Sequence, residues 1–89
     1  MVKKKIKIIN KLGLHARASS KLSELANKFS CNIKIIKENE EADAKNMMDI
    51  LMLSASCGTK LILTFSGSDE KKAAEEVENL FLDYFGEGE

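Results

Sequence analysis

Apolar and polar positions alternate from the first residues of the chain. Ile6 and Ile8 fall on one side of a run in which Lys3, Lys5 and Lys7 fall on the other. That is the two-residue period of a strand, and it predicts a first strand over residues 2–9. Asn10, Lys11 and Gly13 interrupt the run as a turn. The period then changes. Leu22, Leu25, Ala26 and Phe29 recur at helical spacing, which predicts a helix over 16–29 with one apolar face. Alternation returns in Asn-Ile-Lys-Ile-Ile-Lys at 32–37, a second strand, followed by Glu38-Asn39-Glu40 as a tight turn. Residues 41–45 are assigned as a third strand because the second needs a neighbour. Asn46 is placed to cap a short helix over 47–53, with Asp49 favoured by the positive end of that helix. Gly58 breaks the chain before a fourth strand at 60–66. Gly67-Ser68-Asp69-Glu70 then opens a last helix with a cap candidate and two acids. Ala73, Ala74, Val77, Leu80, Phe81, Tyr84 and Phe85 form its apolar stripe, and the tail Gly86-Glu87-Gly88-Glu89 is expected to fray.

The resulting order is β-α-β-β-α-β-α. Its short hairpins favour an antiparallel sheet with the two longer helices on one face, an α+β architecture. Eighty-nine residues are expected to form one domain, 1–89, large enough for a single core. Lysine plus arginine and aspartate plus glutamate are equal at 14 each, which argues against a nucleic-acid binder. No apolar run approaches a membrane span, and the basic opening segment is too short in apolar residues for a signal peptide. Cys31 and Cys57 are far apart and make no metal-type pair. The expectation is a cytoplasmic protein whose two cysteines are small, buried thiols, with no metal and no cofactor.

The chemistry concentrates at residues 13–20, Gly-Leu-His-Ala-Arg-Ala-Ser-Ser, where His15 is the only histidine in the chain. A lone histidine is commonly a surface or packing residue. This one stands at the junction of a turn and a helix start. The first turn of a helix has N–H groups without intrahelical acceptors and partial positive charge, so it attracts anions. Arg17, two residues on, adds a guanidinium fork suited to phosphate. Helix end and arginine both disfavour an imidazolium and leave a nucleophilic ring nitrogen. A histidine nucleophile beside an anion site suggests a histidine that carries a phosphoryl group. The backbone N–H groups of Ala16, Arg17 and Ala18 are the candidates for holding that group, with His15 and Arg17 as the catalytic pair.

On these residues the chain resembles the HPr family, the histidine phosphocarriers of the phosphoenolpyruvate-dependent phosphotransferase system. The strongest segments are Asn-Lys-Leu-Gly-Leu-His-Ala-Arg-Ala-Ser-Ser at 10–20 and Asp-Ala-Lys-Asn-Met-Met-Asp-Ile-Leu-Met-Leu at 43–53. Ile-Asn-Lys-Leu-Gly before the histidine, Leu-Met-Leu at 51–53 and an acidic tail look closest to the nitrogen-related branch, NPr. The resemblance implies an open-faced antiparallel four-stranded sheet with helices packed on one side. It implies that enzyme I phosphorylates His15, as pros-phosphohistidine, and that the group passes to a IIA-type acceptor in sugar uptake or nitrogen-related regulation. Such a protein is a monomeric relay rather than a self-contained enzyme. The family often has proline where Ala18 stands; alanine is a good helix former and should keep the helix.

The short helix is unusually apolar, and methionine suits surfaces that fit several partners. By resemblance it docks enzyme I and the acceptors, with Met47, Met48, Met52 and Ser20 as the partner-facing residues and Ile50, Leu51 and Leu53 weighed equally as core. Asn46 replaces a serine that many relatives phosphorylate for regulation; asparagine keeps the cap and removes the phosphate acceptor. Asp49 would place an acid in the docking face. The alternative function is a regulatory docking module in which phosphorylation only modulates binding.

Overall fold

The computed structural model describes residues 1–87. Its elements run β1 (Val2–Lys7), α1 (Ala16–Ala26), β2 (Asn32–Lys37), β3 (Glu40–Asp43), α2 (Met47–Met52), β4 (Lys60–Ser66) and α3 (Glu70–Leu82), with a short 3-10 turn at Tyr84–Gly86. One four-stranded sheet has the order β1-β4-β2-β3, and every neighbouring pair is antiparallel. Val2 pairs with Phe65 and Lys7 with Lys60 on one side of β4; Ile33 pairs with Phe65 and Ile35 with Leu63 on the other. The two-residue period puts Ile6, Ile33, Ile35, Leu61, Leu63 and Phe65 into the core and leaves Lys3, Lys5, Lys7, Lys34 and Lys60 exposed.

The helices close the apolar side. α1 contributes Ala18, Leu22 and Ala26, and α3 contributes Ala73, Ala74, Val77 and Phe81. Each large apolar side chain in this core contributes about 1.5–3 kcal/mol of burial free energy. Phe81 meets Phe85 edge to face with ring centroids 4.8 Å apart, a preferred aromatic geometry.

Several boundaries differ from the sequence reading. α1 ends at Ala26 rather than 29, because the chain turns at Asn27 and Phe29 packs into the core from the turn. β3 begins at Glu40, since Glu38, at φ 54°, and Asn39 suffice for the hairpin. Asp69 precedes α3 but makes no side-chain cap. Its carboxylate instead accepts the N–H groups of Ser30 and Cys31 at 2.8 and 3.0 Å, pinning the α1–β2 turn to the start of α3. Glu70 reaches back to accept from Gly67 N–H. Cys57 is exposed, contrary to its expected burial, whereas Cys31 is buried. Burial and the neighbouring Asp69 push the Cys31 thiol up. The expected frayed tail is corrected at Gly86 and Glu87, which are folded back onto the molecule; Gly88 and Glu89 lie outside the described residues.

Candidate functional site

Gly13 sets the histidine in place. Its φ of +66° is left-handed, and an added Cβ would lie 2.5 Å from the Ala55 carbonyl oxygen. Only glycine fits there without moving backbone. The next residue, Leu14, is buried and donates its N–H to the same Ala55 carbonyl at 2.9 Å. The turn before His15 is thereby clamped to the segment that follows α2, and the histidine and the short helix share one side of the molecule.

His15 is the N-cap of α1, with extended backbone. Its Nδ1 accepts from the Arg17 N–H at 3.3 Å, doing with an imidazole what serine or aspartate usually does. Its carbonyl accepts from Ser19 N–H, so the helix is closed from its first turn. The N–H groups of Ala16 and Ala18 have no intrahelical acceptor at these positions. The His15 side chain is 27% exposed. Arg17 is exposed, and among the described residues its guanidinium makes no ion pair or hydrogen bond.

The second ring nitrogen has a partner that sequence reasoning missed. Nε2 of His15 lies within hydrogen-bond reach of Oε2 of Glu87. The other carboxylate oxygen of Glu87 accepts from Asn10 Nδ2 at 3.1 Å, and Asn10 Nδ2 also donates to the Gly13 carbonyl at 2.8 Å. Asn10 is fully buried. Burial pushes the Glu87 carboxyl up, but the hydrogen bonds from Asn10 and His15 and the charges of His15 and Arg17 outweigh it and hold the group below the usual carboxylate range. Leu12, Arg17, Gly86 and Glu87 line one open pocket beside the histidine. No local pattern marks Glu87, which comes from 72 positions away.

In α2, Asn46 caps the helix by accepting from Asp49 N–H at 3.2 Å. Met48 and Met52 are exposed, Met47 and Leu51 are half-buried, and Ile50 and Leu53 belong to the core. Leu12, in the turn before the histidine, is also exposed. Asp49 is half-buried and turned toward β3, where it accepts from Asp43 N–H at 3.3 Å. Ser20 is half-buried on α1 and donates to Glu24 within its own helix. Among the described residues no cluster of His, Cys, Asp and Glu could hold a metal ion, and no helix is long and apolar enough to cross a membrane.

Sheet topology and helix placement are those of solved HPr structures, and comparison with known proteins gives the class as a small phosphocarrier. The family model described as the phosphotransferase-system HPr component phosphorylation site matches residues 2–83. The chain belongs to this HPr family. It is 43% identical over 89 residues to the phosphocarrier protein HPr of Neisseria meningitidis serogroup A, covering all of both chains. It is equally similar, 43% over 89 residues and all of both chains, to the HPr of Cupriavidus necator. Among solved structures, HPr-C-His from Thermoanaerobacter tengcongensis superposes with a TM-score of 0.94 at 38% identity, covering 98% of each chain.

Proposed function

We propose that this phosphocarrier takes a phosphoryl group from a phosphohistidine of an enzyme I-type donor onto Nδ1 of His15 and gives it to a IIA-type acceptor. The observation that carries the reading is the direction of Nδ1 toward the N–H groups at the start of α1, beside an arginine whose guanidinium has no partner among the described residues. The Nδ1 lone pair forms the new N–P bond. The donor's N–P bond breaks, and its electron pair returns to the donor nitrogen. The Arg17 N–H, released from Nδ1, and those of Ala16 and Ala18 then face the phosphoryl oxygens, and the guanidinium adds its fork. Such transfer needs positioning and charge stabilisation more than additional reactive groups.

Met48, Met52 and Leu12 offer apolar surface next to this point, with Met47 and Ser20 at its border. Partners dock there on a monomer, in the cytoplasm, where both thiols stay reduced. Asn46 keeps the helix cap and has no hydroxyl to phosphorylate, so control through that position is lost. Whether the acceptor serves sugar uptake or nitrogen-related regulation is decided by which IIA protein takes the group.

The test is intact-mass analysis after incubation with phosphoenolpyruvate, magnesium and enzyme I, beside a His15→Ala control. The expected result is an acid-labile gain of one phosphoryl group that the control lacks and that a sugar-type or a nitrogen-type IIA protein removes. A folded wild-type protein that gains nothing from an active enzyme I would sink the reading.

A further inference from the structure

Residues 84–87 do not merely lie near the histidine; they are held there by three separate means. After α3 the backbone passes through Tyr84, Phe85 and Gly86 at φ of 55°, 53° and 76°. Left-handed backbone at two non-glycine residues costs energy that the surroundings must offset. Phe85 is buried against Phe81. Lys21, on the second turn of α1, donates from Nζ to the Phe85 carbonyl at 2.6 Å. One residue beyond Gly86, Glu87 is gripped on one oxygen by buried Asn10 and presents the other to Nε2 of His15.

We propose that Glu87 is a positioning residue for phosphoryl acceptance: its carboxylate keeps the ring proton of His15 on Nε2 and so leaves the lone pair on Nδ1, facing the start of α1. This deepens the function proposed above and rests on it. The hydrogen bond made by one imidazole nitrogen sets the state and direction of the other. Here the two ring nitrogens have opposite partners, a backbone donor at Nδ1 and a carboxylate acceptor at Nε2. Only the ring with its proton on Nε2 satisfies both. When the N–P bond forms at Nδ1, the proton stays on Nε2 and the ring becomes positively charged. The carboxylate 87 stands against that charge, and no proton has to leave during the step. Asn10 serves the same end one contact further out, since its amide fixes the carboxylate. It also joins the carboxylate to the Gly13 turn that places the histidine.

The experiment compares wild type, Glu87→Gln and Glu87→Ala, each checked for folding by thermal melting. Both variants should fold, because Asn10 Nδ2 keeps the Gly13 carbonyl as acceptor. The glutamine variant retains an oxygen to accept from Nε2. In ring-labelled NMR of the unphosphorylated protein, a protected Nε2–H proton is expected in wild type and in Glu87→Gln and is expected to vanish in Glu87→Ala. In transfer from phospho-enzyme I, kcat of Glu87→Ala should fall about tenfold with KM unchanged, and Glu87→Gln should lie between it and wild type. An unchanged kcat in Glu87→Ala overturns the assignment, and so does a lowered kcat whose ring signals match wild type. If wild type itself accepts no phosphoryl group, the functional reading falls, while the NMR comparison still decides whether Glu87 orders the ring.

Discussion

His15 is constrained at backbone and side chain alike. Gly13 fixes the approach, the helix start takes Nδ1, and Glu87 takes Nε2. Replacing Gly13 by alanine puts a Cβ against the Ala55 carbonyl at a left-handed position, and should lower stability by about 2 kcal/mol. Thermal or denaturant unfolding of Gly13→Ala measures this directly. Arg17 is different in kind, because nothing among the described residues depends on its guanidinium. Arg17→Lys should leave the melting temperature unchanged while transfer slows about tenfold, since lysine keeps the charge and loses the fork. An unchanged transfer rate would remove Arg17 from the chemistry. His15 and Arg17 could be picked out in the sequence because they are neighbours and their setting is local. Asn10 and Glu87 could not. Asn10 reads as an ordinary turn residue, and a Gly-Glu-Gly-Glu tail has the composition of a loose end. Their value comes from a meeting of residues far apart in the chain.

Among the elements, β2 and β4 lie where alternation puts them, because each is covered on one face and open on the other. The end of α1 was not legible, since Phe29 has the right helical spacing but enters the core from a turn. Nor was the role of Asp69, whose position invites a cap and whose carboxylate serves another loop. α2 is short and divided: Ile50 and Leu53 anchor it while Met48 and Met52 face out. Lys37 donates from Nζ to the Leu53 carbonyl at 2.8 Å, where the helix has no basic residue of its own. Asp49, which the sequence suggested as an obstacle on this face, spends its carboxylate on β3. Met48→Asp should therefore raise KM for phospho-enzyme I about tenfold with the melting temperature unchanged. Loss of the fold in that variant would instead assign Met48 to the core.

For the molecule as a whole, three carboxyl groups tie the fold to pH. The Ser30 N–H and further hydrogen bonds hold the Asp69 carboxyl below its ordinary range, and the Gly67 N–H with the N-terminal ammonium does the same for Glu70. Glu87 is lowered as well. Groups lowered in the native state bind fewer protons there than in the unfolded chain. Their contribution is complete above the unfolded value of about 4 and is lost as pH falls through the lowered native values. Melting temperature should thus fall on acidification below about pH 4, and less steeply in Asp69→Asn; parallel curves for the two proteins would contradict this.

The strand order carries a consequence for how the molecule comes into being. The first strand has one neighbour, β4, and Val2 finds its partner only in Phe65. β4 is also the sole bridge between β1 and the β2–β3 hairpin. Closing β1 onto β4 therefore has to bring together distant parts of the chain, and that ladder is expected to form late in folding, after the local β2–β3 hairpin. Exposed lysines alternate along this edge strand, a feature that discourages edge-to-edge pairing with other chains.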